Sequence, residues 1–255
     1  MVAFVVGLAF STEAGNWPSW RGDVAGSGIV RGEKIPLEWG TKKNVRWRVP
    51  LPDRGNSSPI VWGDKVFITQ ATDSDKRRTV MSFDKRTGEL LWRTGVTYTK
   101  AEKTHKTNPY CSGSPATDGR VVVANYASAG VAAYDLEGQQ LWHRKLGPQE
   151  HIWGNGTSPV LFGDLCIVYH GPGPGSSLHA LDKLSGRTIW KRKVEEKNDP
   201  NRVDGFRGGN GAINGAFTTP IIIEVQGRHE LILSEANTLR ALSPEDGSEL
   251  WRCNG

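Results

Sequence analysis

The chain has only two methionines and three cysteines in 255 residues, and no apolar run long enough to cross a membrane as a helix. Cys111, Cys166 and Cys253 are far apart, form no CxxC pair and cannot all pair within one chain. They are expected to be buried thiols rather than a disulfide framework or a metal centre. The six histidines show no ligand spacing such as HExxH, and HGPGPGSSLH (170–179) reads as a Gly/Pro-rich hairpin tip, so metal chemistry is not indicated. An excess of one charge is also missing: Lys and Arg number 32 against 27 Asp and Glu, a net +5 spread along the chain. The runs SDKRRT (74–79) and WKRKVEEKNDPNR (190–202) read as solvated loops, the second mixing both signs, and no nucleic-acid partner is expected. No Ser-His-Asp order and no paired-carboxylate spacing stands out, so no catalytic residue is assigned. GGNGAING (208–215) is not a phosphate loop, because it lacks the Lys-Ser/Thr pair and leads into a strand.

Tryptophan and glycine, in contrast, are plentiful, at ten and 31 residues. Trp recurs at the end of one pattern: SFDKRTGELLW (82–92), AYDLEGQQLW (133–142), ALDKLSGRTIW (180–190) and ALSPEDGSELW (241–251). Each copy reads as a strand, a tight turn and a second strand. Asp accepts hydrogen bonds from backbone N–H groups further along, and Gly supplies the positive φ where the loop rejoins the strand. The second copy is one residue shorter, and the fourth has Ser243 where the others have Asp. Upstream of each hairpin stands a second shared element: SSPIVWGDKVFIT (57–69), GSPATDGRVVVAN (113–125), TSPVLFGDLCIVY (157–169) and TTPIIIEVQGRHELIL (218–233). Each gives two more strands. Pro59, Pro115, Pro159 and Pro220 fall at strand starts, where a missing N–H does least harm.

The unit is therefore four antiparallel strands in about 45 to 60 residues, the blade of a β-propeller. The expected class is all-β, with blades at about 57–94, 113–145, 157–193 and 218–253, a lone strand at 44–50 and an extension at 15–43. Four blades make a small ring, so the chain is expected to be an arc of a seven- or eight-bladed one, and a partial chain. Residues 1–14 carry the apolar run and small-residue end of a signal peptide, without a preceding Lys or Arg, the alternative being a buried N-terminal strand. The signal peptide predicts an exported, periplasmic or extracellular protein.

The loops entering the first strand of each blade converge near the propeller axis. They are DRGNSS (53–58), KTNPYCSG (106–113), HIWGNGT (151–157) and FRGGNGAINGAFT (206–218). They contribute Arg54, Asn56, Asn108, Tyr110, His151, Trp153, Asn155, Arg207, Asn210 and Asn214 as candidate ligand-binding residues. The bland alternative is that Asn and Gly only form tight turns.

The pattern [AS]-x-D-x-x-[TS]-G-x-x-x-W in 82–92 and 180–190 resembles the tryptophan-docking repeat of the pyrroloquinoline quinone (PQQ)-like β-propellers. That superfamily includes quinoprotein alcohol dehydrogenases and the scaffold of the outer-membrane β-barrel assembly machinery. NWPSWRGDVAGSG (16–28), KTNPYCSGSPATDG (106–119) and NGTSPVLFGDL (155–165) are similar to secreted PQQ-like repeat proteins of planctomycete-type bacteria. The resemblance implies that Trp92, Trp142, Trp190 and Trp251, with Trp47 in the same position of the lone strand, pack between neighbouring blades. Gly88, Gly138, Gly186 and Gly247 then lie in the docking hairpins. It also implies that a dehydrogenase of this type holds its quinone with adjacent cysteines joined by a disulfide, a Ca²⁺ site and an Asp base. This sequence has no adjacent cysteines and no acidic cluster with calcium-loop spacing. The expected function is a non-catalytic binding or scaffold module for a protein, peptide or glycan, without a cofactor. The alternative is a PQQ-dependent dehydrogenase domain lacking its cofactor-binding blades, which would need PQQ and Ca²⁺.

Overall fold

The computed structural model describes residues 15–30, 36–173, 175–194, 215–236 and 238–254. Among them no helix is long and apolar enough to cross a membrane. The sixteen strands form four sheets of four, each an antiparallel meander in sequence order. Blade 1 comprises β1 (Ile60–Trp62), β2 (Lys65–Thr72), β3 (Arg77–Asp84) and β4 (Leu90–Thr97). Blade 2 comprises β5 (Ala116–Thr117), β6 (Val122–Asn125), β7 (Val131–Tyr134) and β8 (Gln140–Arg144). Blade 3 comprises β9 (Val160–Phe162), β10 (Leu165–His170), β11 (Ser177–Asp182) and β12 (Thr188–Lys193). Blade 4 comprises β13 (Ile221–Val225), β14 (Arg228–Ser234), β15 (Thr238–Leu242) and β16 (Glu249–Asn254).

Burial follows position in the blade. VVAN of β6 and VAAY of β7 are buried at every residue, because both faces of a middle strand meet neighbouring blades. The outermost strands alternate or face solvent, as TIWKRK does in β12. A strand buried on both faces is apolar throughout, whereas an edge strand keeps a polar side.

The repeated hairpin follows from its residues. Asp84 Oδ1 accepts from the N–H groups of Arg86 and Thr87 and from the Thr87 hydroxyl, at 2.9, 2.7 and 2.9 Å. Asp182 repeats this with Leu184 and Ser185. In the fourth copy Ser243 Oγ accepts from Asp246 N at 3.4 Å where the others have Asp, and Asp246, in the place of Thr87 and Ser185, accepts from the Ser248 N–H and hydroxyl. Every blade breaks register just before this turn, between Ser82 and Phe83, Ala133 and Tyr134, Ala180 and Leu181, and Ala241 and Leu242. The residue before each break lies directly across the ladder from the Trp: Ser82 from Trp92, Ala133 from Trp142, Ala180 from Trp190 and Ala241 from Trp251. The small residue of the pattern is thus the cross-strand partner of the indole.

Adjacent blades lock through those indoles. Trp47, Trp92, Trp142 and Trp190 donate Nε1–H to the carbonyls of Lys85, Leu136, Lys183 and Pro244, at 2.9, 3.0, 2.9 and 2.9 Å. Each acceptor is the residue after the hairpin Asp, or after Ser243 in the last copy. The rings cover Gly88, Gly138, Gly186 and Gly247, where a Cβ would come within 2.6, 2.6, 2.6 and 2.7 Å of the indole. Trp251 departs from the expected docking role: its N–H goes to Glu230 Oε2 of its own blade, at 2.7 Å, and the residue is 37% exposed. Residues 44–50 join none of the sheets, although Trp47 docks as the others do. Of the cysteines expected to be buried, Cys111 and Cys166 are, whereas Cys253 is exposed, since it sits on the solvent side of the edge strand β16.

Residues 16–24, expected only as an extension, run across the free edges of the inner strands. Trp17 exchanges both backbone bonds with Val61 of β1 at 2.8 Å, Pro18 O accepts from Thr117 of β5 at 2.8 Å, and Val24 O accepts from Ile222 of β13 at 2.9 Å. Asn16 Oδ1 accepts from Gly63 N at 2.8 Å. The strap satisfies inner-strand N–H groups that would otherwise face the axis unpaired.

Candidate functional site

Because each blade is a four-strand meander, the chain enters β1, β5, β9 and β13 from one face. A chain of hydroxyls ties them together at their roots. Ser58 N donates to Ser114 Oγ at 2.9 Å, Ser114 N to Ser158 Oγ at 3.0 Å, and Ser158 N to Thr219 Oγ1 at 3.0 Å. Each of these residues immediately precedes the proline that opens its inner strand. The hydroxyl of one blade therefore caps the backbone of the blade before it. Blades approach so closely here that a Cβ on Gly113 would lie 2.3 Å from Thr157 O.

Above this belt, the structure brings several candidate residues together through their amides. Asn56 Nδ2 donates to Thr107 O at 2.8 Å, Asn108 Nδ2 to Trp153 O at 2.6 Å, and Asn155 Nδ2 to Gly171 O at 2.7 Å. The first two amides bridge one blade's loop to the next, and the third ties two loops of blade 3 together. Trp153 packs on His105 with ring centroids 4.4 Å apart, and His151 meets Phe217 edge-on at 5.0 Å. Arg54 is exposed at the edge of the group, 3.5 Å from Lys106 O. Tyr110 turns inward instead: its hydroxyl donates to Glu102 O at 2.7 Å, and its ring lies 4.0 Å from the Arg78 guanidinium carbon. Arg207, Asn210 and Asn214 lie outside the described residues.

Reading the sequence missed Arg78 and Glu102. Their side chains, 1% and 8% exposed, form an ion pair at 3.0 Å under the loops. A buried charge is tolerated only with such a partner and further hydrogen bonds, and the second carboxylate oxygen takes Ser128 N at 3.2 Å. No pattern in the charge run around Arg78 marks it as buried. Ser58, Ser114, Ser158 and Thr219 stand before the four prolines in the sequence, but their hydrogen-bond partners are set only by the packing of the blades.

Side-chain chemistry on this face is subdued. Burial pushes the Cys111 and Cys166 thiols up to about 12, leaving them unreactive as nucleophiles. Burial lowers His170 and His179 to about 4, so both imidazoles are neutral at pH 7. Adjacent cysteines are absent from the sequence, the described cysteines are free, and no group of three His, Cys, Asp or Glu side chains suited to a metal occurs among the described residues. Among the described residues, the donors do not make up a site for a quinone held over a calcium ion.

Four such blades, joined by Trp docking, are a stretch of β-propeller. The family model described as Outer membrane protein assembly factor BamB matches residues 37–170 and 174–254, and the chain belongs to this PQQ-like propeller repeat family. Among curated proteins, it is 22% identical over 199 residues to a polyvinylalcohol dehydrogenase of Pseudomonas sp, covering 71% of this chain and 29% of that one. It is 23% identical over 200 residues to the Outer membrane protein assembly factor BamB of Alkalilimnicola ehrlichii, covering 78% and 43%. The chain thus spans less than half the length of either relative. Among solved structures, a quinohemoprotein alcohol dehydrogenase from Pseudomonas putida HK5 matches with a TM-score of 0.62 at 16% identity, over 95% of this chain and 40% of that one. A europium-containing methanol dehydrogenase gives 0.62 at 13%, over 95% and 49%. At these identities the structural matches establish the fold alone.

Proposed function

We propose that the chain is a non-catalytic, extracytoplasmic binding or scaffold module whose loop face holds a protein, peptide or glycan. One observation carries this reading: Asn56, Asn108 and Asn155 all use their amides on backbone carbonyls between loops. What remains displayed is a braced surface with Arg54 and the Trp153–His105 pair, suited to recognition rather than to bond-making. The relative named as an assembly factor is compatible with a protein partner. Photo-crosslinkers placed in the native cell at Arg54 and Trp153, with Arg86 in the hairpin on the opposite face as control, test it. Adducts confined to the loop face support the proposal; equal yields from both faces contradict it.

The second reading, a quinone-dependent dehydrogenase domain, is favoured by the similarity to polyvinylalcohol dehydrogenase. It requires that the quinone and calcium donors come from outside the described residues.

A further inference from the structure

A cleft of about 590 Å³ lies between the exit of β4 and the exit of β8, walled by the outer parts of the same connections that go on to enter β5 and β9. One wall is the segment 97–103, the other 145–150, and both are fastened to Ser128 on the floor. Ser128 N donates to Glu102 Oε1 at 3.2 Å, and Gln149 N donates to Ser128 Oγ at 2.7 Å. The cleft is therefore built rather than an accident of loose loops. Its charge is positive: Lys100, Lys103 and Lys145 are exposed and form no ion pair among the described residues. Glu102 does not offset them, because Arg78 already neutralises it at 3.0 Å, and Glu150 alone opposes them at the mouth. His143 binds the Ala129 carbonyl through Nε2 at 2.6 Å, which makes Nε2 the protonated nitrogen and leaves Nδ1 as an acceptor.

We propose that this cleft binds an acidic saccharide, a sugar bearing a carboxylate beside free hydroxyls. Lysines suit the carboxylate as point charges without the forked geometry of Arg. The His143 acceptor and the backbone of 98–103 and 145–148, outside any strand, suit the hydroxyls. The volume matches a small ligand and not an extended protein surface. The inference stands whether or not Arg54 and Trp153, elsewhere on this face, also bind a partner.

The test is titration of the full chain, at low and high salt, with digalacturonate, the uncharged disaccharide galactobiose, and tetra-aspartate. The expected result is saturable digalacturonate binding that salt weakens, no binding of galactobiose, and weaker binding of tetra-aspartate. The Lys103→Ala/Lys145→Ala variant, altered only at exposed side chains, is expected to lose at least about tenfold in affinity. The proposal is overturned if digalacturonate fails to bind at millimolar concentration or binds the variant unchanged. It is equally overturned if tetra-aspartate binds as tightly, which would make the cleft a site for acidic peptides.

Discussion

Gly186 lies so close under the Trp142 indole that a Cβ there would come within 2.6 Å of the ring, and its φ is +70°. Gly163 has φ +54° but open space around it. The Gly163→Ala variant therefore carries only the backbone cost, about 1 kcal/mol. Gly186→Ala adds the clash and is expected to cost roughly 3 kcal/mol in urea unfolding. Equal losses at the two positions would refute the docking role of the glycine.

Ser114 sits in the middle of the hydroxyl belt, accepting from Ser58 and donating its own N–H to Ser158. Ser114→Ala leaves the Ser58 N–H without its acceptor and is expected to destabilise by about 1 to 3 kcal/mol. Faster hydrogen exchange at the Ser58 amide checks that the loss is local.

His170 and His179 are both 4% exposed, and the His170 ring lies beside the Gly147 and Pro148 backbone. Burial holds both near 4, with Lys191 adding to the depression. The unfolded chain, where His titrates near 6.5, binds these protons first. Stability is then fully present above about pH 6.5 and falls as the pH drops toward 4, by up to about 1.4 kcal/mol per pH unit for each histidine. Asp118 acts in the same direction at lower pH: burial raises it, but the Lys183 ammonium at 2.8 Å together with the N–H groups of Arg120 and Val121 holds it below the ordinary carboxylate range. Urea midpoints measured from pH 7.5 to 4.5 should decline, and the His170→Gln variant should decline less steeply.

Cys111 and Cys166 are buried and Cys253 is exposed. In the native protein a thiol reagent should modify Cys253 rapidly and the other two only on unfolding. Rapid modification of all three thiols would contradict the packing of blades 1 to 3.

The fold was legible because the repeat is local: hairpin chemistry, the proline at each inner strand and the Trp period are written within each unit. The link between units was harder to read. A Ser or Thr precedes each proline, but which backbone N–H it accepts from depends on a residue 44 to 61 positions away. The strap at Trp17 and Val24 has no strand-like alternation to announce it, since it pairs with a different blade at each contact. In the candidate site, Asn56, Asn108 and Asn155 spend their amides on backbone carbonyls of the loops. Tyr110 was drawn inward by Arg78, an ion that nothing in SDKRRT distinguishes from its solvated neighbours.

The central claim is that this family member binds without quinone chemistry. Equilibrium dialysis of the purified protein against PQQ and Ca²⁺, followed by dye-linked assay with primary alcohols and polyvinyl alcohol, tests it most directly. The account predicts no retained quinone absorbance and no turnover. One quinone retained per chain, with calcium-dependent oxidation, would contradict it.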